Sequence, residues 1–336
     1  MKKELGISVL LLLLCAVVAV LNPKFLSAVN LSNTANLVGM FGIFSIGAGL
    51  VIITGGIDLS VGSMFALAGV LLAMMLREWH WPWPVAALAI TALPMALGVV
   101  HGVLITRLRV QAFIVTLCGL LIYRGLARFI ADDTTKGFAN SEGFERLRDV
   151  AKGQLFHLPS PFLILLVIAV IMWLVLHRSV YGRYLFAVGR NEEAARYSGI
   201  RTRLVIGSSY VVAGLLTGLS AILFAFYTNS ISPSTHGNFY ELYGIAAAVL
   251  GGCSLRGGEG SILGIVIGTT LLQVLQNLVN LLNIPSSLNF AVMGAVVLVG
   301  VLADELLTAR RQKRKAALAA ASREARHGTA SPPAEK

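Results

Sequence analysis

Two copies of a glycine-rich signature hold the residues best placed to do more than fill space. Gly55-Gly56-Ile57-Asp58-Leu59-Ser60-Val61-Gly62 and Gly251-Gly252-Cys253-Ser254-Leu255-Arg256-Gly257-Gly258 both fit Gly-Gly-x-x-Leu-x-x-Gly, and each stands between two apolar runs. Paired glycines admit positive φ and close backbone approach, so the chemistry they offer is conformational: hinges, gates, helix breaks. Asp58 is the sole acidic residue between Glu4 and Glu78. An ionisable group so isolated among apolar residues is a functional candidate. The preferred reading is structural, with Asp58 and Ser60 capping the helix that follows. No nucleophile is paired with a base, no His, Asp and Glu set has metal-ligand spacing, and no lysine follows a glycine as a phosphate-binding loop requires. No catalytic or metal residue is therefore expected.

These motifs must be positioned by elements that live in lipid. The chain has 336 residues, of which 56% are hydrophobic and only 13% charged, against about 25% in soluble domains; mean hydropathy is +0.79. Roughly 20 apolar residues cross a bilayer as a helix, and ten segments approach that: Leu5–Leu21, Leu37–Thr54, Val61–Leu76, Val85–Thr106, Ala112–Ile130, Phe162–Leu176, Leu204–Thr228, Tyr240–Gly251, Ser261–Leu282 and Leu288–Ala303. The fold class expected is all-α, a polytopic transmembrane bundle with an internal repeat whose parallel or inverted sense stays open. The first segment is too long for an ordinary signal peptide. Cys15, Cys118 and Cys253 are far apart and build no disulfide framework.

The net charge of +11 reads as topology rather than nucleic-acid binding. Placing the N-terminus inside puts Lys2, Lys3, Arg107, Arg109 and the six arginines of 178–203 in inner segments, as cytoplasmic loops retain Lys and Arg. Both termini are then cytoplasmic. The loop 131–160 is external, with four basic and five acidic residues. Arg124 and Arg128, one turn apart, are expected to pair with Asp132 and Asp133. The domain division is a permease body at 1–307 and a basic, disordered tail at 308–336. Gly98 and Gly102, Gly214 and Gly218, and Gly264 and Gly268 are small-residue pairs for close helix packing.

Segment 178–203 is the most polar inner stretch. Asn191 is a suitable N-cap, Glu192 and Glu193 suit the first-turn dipole, and Gly199 is a suitable C′ stop. That spells a two-turn helix about 10 Å long. It is either a rigid peg gripped by a cytoplasmic partner or an amphipathic helix lying on headgroups.

Glu193-Ala194-Ala195-x-x-x-Gly199 resembles the coupling motif of permease subunits of ATP-binding-cassette (ABC) importers. With Tyr181-Gly182-Arg183-Tyr184, the residues Asn191 to Arg196, and both glycine signatures, the chain is similar to the ribose/xylose/arabinose branch, which includes autoinducer-2 permeases, over Asn22 to Asp304. The later Ile-x-Leu-Pro element of that motif does not follow Gly199. The resemblance implies a multi-pass protein of the bacterial inner membrane that imports a monosaccharide, with no cofactor of its own. ATP and Mg²⁺ would sit on two separate ATPase subunits, beneath Asn191, Glu192, Glu193, Ala194, Ala195, Arg196 and Gly199. A second permease subunit and a periplasmic sugar-binding protein complete the expected partners. Gly55, Gly56, Asp58, Ser60, Gly62, Gly251, Gly252, Ser254, Gly257 and Gly258 would gate. Sugar hydroxyls call for neutral donors and acceptors, and the candidates are Asn33, Asn36, Gln273, Gln276, Asn277 and Asn280, with Asn229 and His236 outside. The last four of the span residues form a polar stripe at helical spacing, equally suited to gluing helices. The rival is an ion-coupled secondary sugar carrier, for which carboxylates within the spans are scarce.

Overall fold

The computed structural model describes residues 2–138 and 143–285, with isolated positions 288, 291, 292, 294, 295 and 298. The chain divides into a unit Met1–Ser286 and a unit Ser287–Lys336. In the second unit, positions 291, 292, 294, 295 and 298 are helical. The remainder of the expected tenth span, the 307/308 boundary and the tail lie outside the described residues.

The first unit contains α1 (Lys2–Leu21), α2 (Ala28–Ile53), α3 (Val61–Arg77), α4 (Trp83–Thr106), α5 (Ala112–Ile130), α6 (Glu145–Lys152), α7 (Ser160–Trp173), α8 (Val180–Arg190), α9 (Glu192–Tyr197), α10 (Thr202–Thr228), α11 (Tyr240–Leu250) and α12 (Ile262–Leu281). Seven helical segments among the described residues are long and apolar enough to cross a membrane: Glu4–Leu21, α2, α4, α5, Ser160–Arg178, α10 and α12. Two shorter apolar helices, α3 and α11, follow and precede the two glycine signatures respectively. Caps set several of the starts: Ser27, Ser179 and Ser261 accept from the N–H groups of Asn30, Gly182 and Gly264 and so begin α2, α8 and α12.

At the centre stands α2, buried over most of its length and packed by α7, α10, α11 and α12. Glycines let α4 and α10 approach to backbone contact: Gly98 lies on the Tyr210 carbonyl, Gly214 on that of Pro94, and Gly218 on Thr91. The small-residue pairs are thus packing sites, as their spacing implies. Phe44, Phe65, Phe224 and Tyr240 knit α2, α3, α10 and α11. Phe44 stacks on Tyr240 at 6.3 Å and Phe65 meets Phe224 edge-on at 5.3 Å.

Contacts sort the connections onto two faces. On one, Glu4 accepts from the Ser261 hydroxyl, the Ile262 amide donates to His177, and Thr106 and Arg109 share a cavity with α9. On the other, the Asn22 amide donates to the Leu281 carbonyl, Lys136 pairs with Glu78 at 2.8 Å, and β1 (Lys136–Gly137) pairs antiparallel with β4 (Ser230–Ile231). That short ladder ties together the connection expected outside, 131–160, and segment 230–239, which precedes α11. Segment 131–160 is also more structured than its composition suggests, since it holds α6 and the hairpin of β2 (Gln154–Leu155) and β3 (Leu158–Pro159).

The two helices that lead into the glycine signatures run side by side in the same direction. Phe44 lies against Gly244, and Gly49 lies near Ala248. At this pair the halves are parallel. Beyond them the halves differ. A side chain at Gly62 would strike the Glu241 carboxylate and the Gly237 carbonyl, so α3 starts level with the first turn of α11. The nine steps from Glu241 to Leu250 rise about 14 Å, and segment 56–60 climbs that distance, while residues 251–261 stay at the base.

Candidate functional site

The helix expected at 191–199 is present with both ends closed. The Asn191 side chain accepts the Ala194 N–H at 2.9 Å. At the other end Gly199, at φ +85°, donates to the Arg196 carbonyl and Ile200 donates to that of Ala195, a Schellman stop. Ala195 is the buried residue of α9; Glu192, Glu193, Ala194 and Arg196 are exposed. Glu192 accepts from the Thr202 hydroxyl at 3.1 Å, which fixes the helix to the start of α10. Between α9, α10 and the end of α4 lies a cavity of about 340 Å³ lined by Arg109, Glu192, Glu193, Arg196 and Arg203 among others. Tyr197, absent from the sequence-based candidates, is 83% exposed at the helix end with the Arg196 guanidinium 5.7 Å from its ring centre. An exposed aromatic within a charged segment is the signal that could have found it.

Asn191 follows α8 directly, and α8 ends where the two glycine signatures meet. The Gly258 amide donates to the Ile53 carbonyl at 2.8 Å. Gly189 is wedged against both: a Cβ there would overlap the Ile53 carbonyl oxygen and sit 2.5 Å from the Gly258 nitrogen. A Cβ at Gly257 would lie 2.7 Å from the Gly189 carbonyl and 3.0 Å from the Gly55 nitrogen. Gly55, Gly252, Gly257 and Gly258 all have positive φ, which other residues rarely adopt. Three backbones, from the end of α2, the end of α8 and the loop after α11, therefore touch two residues before the coupling segment begins. Gly251 packs on Gly264; Ser254 accepts the Arg256 N–H at 3.3 Å and closes the second loop on itself.

Above this junction the climbing segment 56–60 is held by polar groups. Asp58 is buried, and its Oδ1 accepts the Ser60 N–H at 2.9 Å and the Ser60 hydroxyl at 2.6 Å. This corrects the expected cap: Asp58 holds the Ser60 N–H and hydroxyl rather than an N–H of α3, and Ser60, the N-cap residue of α3, makes no side-chain cap bond. Thr116 donates to the Ile57 carbonyl. Tyr123 and His101 Nε2 are hydrogen-bonded at 2.8 Å, and Gly119 leaves room for that pair beside Ser60. The Tyr210 hydroxyl lies against Gly56. His101 Nδ1 and Tyr210 Oη are buried with no partner among the described residues.

Arg124 departs from its expected pairing with the 132–133 loop. It turns inward and donates to the carbonyls of Pro233, His236 and Gly62 at 3.1, 2.7 and 3.3 Å. It thus ties the outer connection to the start of α3, beside the buried Glu241. Arg128 does pair with Asp133, at 2.7 and 2.8 Å. That exposed bidentate pair holds the Asp133 carboxyl below its ordinary value.

The polar candidates for a pathway on α2 and α12 lie on two helices that pack together, and they differ in burial. Asn277 and Asn30 exchange two amide hydrogen bonds, 3.1 and 2.7 Å, between α12 and α2; at Asn277 the stripe is glue. Gln273 is buried, its Oε1 without a partner among the described residues, Gln276 and Asn36 are half-buried, and Asn280 and Asn33 are exposed. Asn229 is exposed in a left-handed conformation at the end of α10, where its carbonyl accepts the Phe138 N–H. His236 is buried. Among the described residues no three His, Cys, Asp or Glu side chains are grouped to hold a metal ion.

Comparison with known proteins gives this geometry a context. A family model described as branched-chain amino acid transport system / permease component matches residues 30–301. The chain is 37% identical over 303 residues to the ribose import permease protein RbsC of Bacillus subtilis, covering 90% of this chain and 92% of that one. It is 38% identical over 294 residues to RbsC of Escherichia coli K12, covering 88% and 91%. With the L-arabinose transport system permease protein AraH of the same strain, identity is 33% over 316 residues, covering 93% and 92%. No solved structure matches.

Proposed function

The chain belongs to the permease-component family of branched-chain amino acid transport systems, and on that premise we propose that it moves a monosaccharide inward across the bacterial inner membrane. Its relatives named for ribose and arabinose support a pentose-like cargo. Two copies, or this chain and a second permease, would form the pathway between them. A separate pair of subunits would hold ATP and Mg²⁺, and a periplasmic binding protein would deliver the sugar. In this reading the span count is ten, both termini are cytoplasmic, and the face bearing α9 is the cytoplasmic one. Lys2, Lys3, Arg107, Arg109 and the arginines of 178–203 favour that orientation.

One observation carries the mechanism. The exposed, doubly capped α9 joins, through Gly189, the backbones of both glycine signatures. Closure of the ATPase dimer would displace α9, and the junction would pass that displacement to α2 and α11 at once. Segment 56–60, with Asp58 at its middle, would act as the strut that moves the start of α3. Alternating access then needs no chemistry on this chain: the work is done by shifting a two-state equilibrium.

The deciding experiment is co-purification of the ATPase with this chain, before and after Glu193→Lys or deletion of residues 192–199. Loss of the ATPase is expected in both cases, and its full retention refutes the docking role of α9. Uptake into vesicles separates the reading from an ion-coupled carrier. ATP-dependent uptake that survives a proton uncoupler is expected; uptake indifferent to ATP and abolished by the uncoupler makes the carrier correct.

A further inference from the structure

The hairpin between α6 and α7 breaks the local rules of its own turn. Gln154 pairs with Pro159 and Leu155 with Leu158, leaving Phe156 and His157 as a two-residue loop with φ of +53° and +63°. Positive φ at both positions is the type I′ pattern, which takes Asn-Gly or Gly-Gly because a Cβ is disfavoured there. Phe-His is the pair that conformation alone would reject, and a retained backbone outlier points toward function. Its effect here is to hold the Phe156 ring 85% exposed, with Leu155 57% exposed beside it.

Position tells what covers that apolar tip. The base of the hairpin is pinned where a membrane-crossing segment begins: the Ser160 N–H donates to the Gly153 carbonyl at 2.9 Å, and the Pro161 backbone abuts Gly39 of α2. From Ser160 the tip is three to four residues away, about 10–13 Å of extended chain at most. A hydrocarbon core of about 30 Å inside a bilayer of about 40–45 Å leaves a headgroup layer of roughly 5–7 Å on each side, and a reach of that length spans the boundary between this layer and the acyl chains. Farther along, the same helix leaves Leu166, Val167, Val170 and Ile171 exposed. Trp79 and Trp81, after α3, and Phe129, in the last turn of α5, are exposed on the same face. Tryptophans collect at this depth because the ring is apolar and its N–H is polar, and Phe and Leu of interfacial segments bury just beneath the headgroups.

We propose that the Leu155–Phe156 tip is seated at the boundary between lipid headgroups and acyl chains on the face opposite α9. There it anchors the module of α6, the hairpin and the β1–β4 ladder at fixed depth. The partner is the bilayer itself. The inference depends on membrane insertion but not on the cargo or the energy source, so it can fail while the importer reading stands, and the reverse.

The test is nitroxide accessibility in the full chain reconstituted into phosphatidylethanolamine/phosphatidylglycerol liposomes, with Cys15, Cys118 and Cys253 replaced by alanine. A label at Phe156→Cys should be several-fold more accessible to oxygen, which concentrates in lipid, than to a water-soluble nickel chelate. A label at Lys152→Cys should show the reverse order. A Phe156 label open to nickel overturns the proposal, and so does one shielded from both reagents, which would place the tip against another protein chain. The pair Phe156→Asn with His157→Gly suits the turn better than the native residues and so preserves the hairpin. In that background a label at Leu155→Cys should shift toward nickel accessibility. An unchanged lipid-side signal would remove Phe156 as the anchor.

Discussion

Replacing Gly189 by alanine tests the transmission of force at its narrowest point. The added methyl would overlap the Ile53 carbonyl oxygen and stand 2.5 Å from the Gly258 nitrogen, where ordinary contact begins at 3.4 Å. Neither neighbour is a flexible side-chain end. Both are backbone atoms, joined to each other by a 2.8 Å hydrogen bond. The end of α8 must therefore retreat by about 1 Å, at about 1–3 kcal/mol for overpacking, and loss of the bond adds about 1 kcal/mol. The sum of about 2–4 kcal/mol corresponds to roughly a 30- to several-hundred-fold change in the equilibrium that assembles the junction. The assay is ATP hydrolysis and sugar uptake measured together in proteoliposomes holding the partner subunits, with thermal unfolding of the chain alongside. Gly189→Ala should lower sugar moved per ATP hydrolysed far more than it lowers hydrolysis. Gly207→Ala is the control, because its Cβ would meet only the Gly102 Cα at 3.8 Å. Wild-type uptake per ATP, with unaltered stability, would refute the reasoning.

Asn191→Ala removes the cap of α9 at a cost of about 0.5–2 kcal/mol, typical of lost N-caps. ATPase affinity should fall with it, and Asn191→Asp should restore that affinity in a pull-down titration. Asn277→Ala leaves the half-buried Asn30 side chain with its bond to the Phe25 carbonyl alone, at about 1 kcal/mol. The double variant with Asn30→Ala should cost less than the sum of the singles in a thermal double-mutant cycle, and strict additivity would show that the amides do not interact. The Asp133 carboxyl is held below its ordinary value by Arg128, so its contribution is present above the ordinary carboxylate range and lost as pH falls through the depressed value. Because the pair is exposed on both sides, Asp133→Asn should leave the unfolding midpoint at pH 7 unchanged, and a large loss would contradict that weighing.

What could be read from the chain beforehand followed the reach of the forces involved. The capping of α9 by Asn191 and its stop at Gly199 were legible because caps are made within a few residues. The glycine signatures were visible as patterns, but their meeting through Gly189 was not, since tertiary packing alone brings positions 55, 189 and 257 together. Arg124 was misassigned because its partners are carbonyl oxygens, which every residue carries and no side chain announces. α8 was hidden because Arg178, Arg183 and Arg190 read as a topological charge cluster. α6 and the small ladders escaped because a strand of two residues shows no alternation. The Phe156-His157 turn lacks the glycine or asparagine that marks such turns.

The burial of α2 bears on how the protein is made. With hydropathy of 2.1 it is apolar enough to partition into lipid as it leaves the ribosome, yet 89% of its most apolar window ends up enclosed by other helices. Of the helices packed on it, α10, α11 and α12 begin at residue 202 or later. At about 5–20 residues synthesised per second, α2 waits roughly 7–30 s for the first of them to begin. Acyl chains must sheathe it in the interval and then be squeezed out, so the native bundle forms by exchange of one solvent for another after insertion is complete.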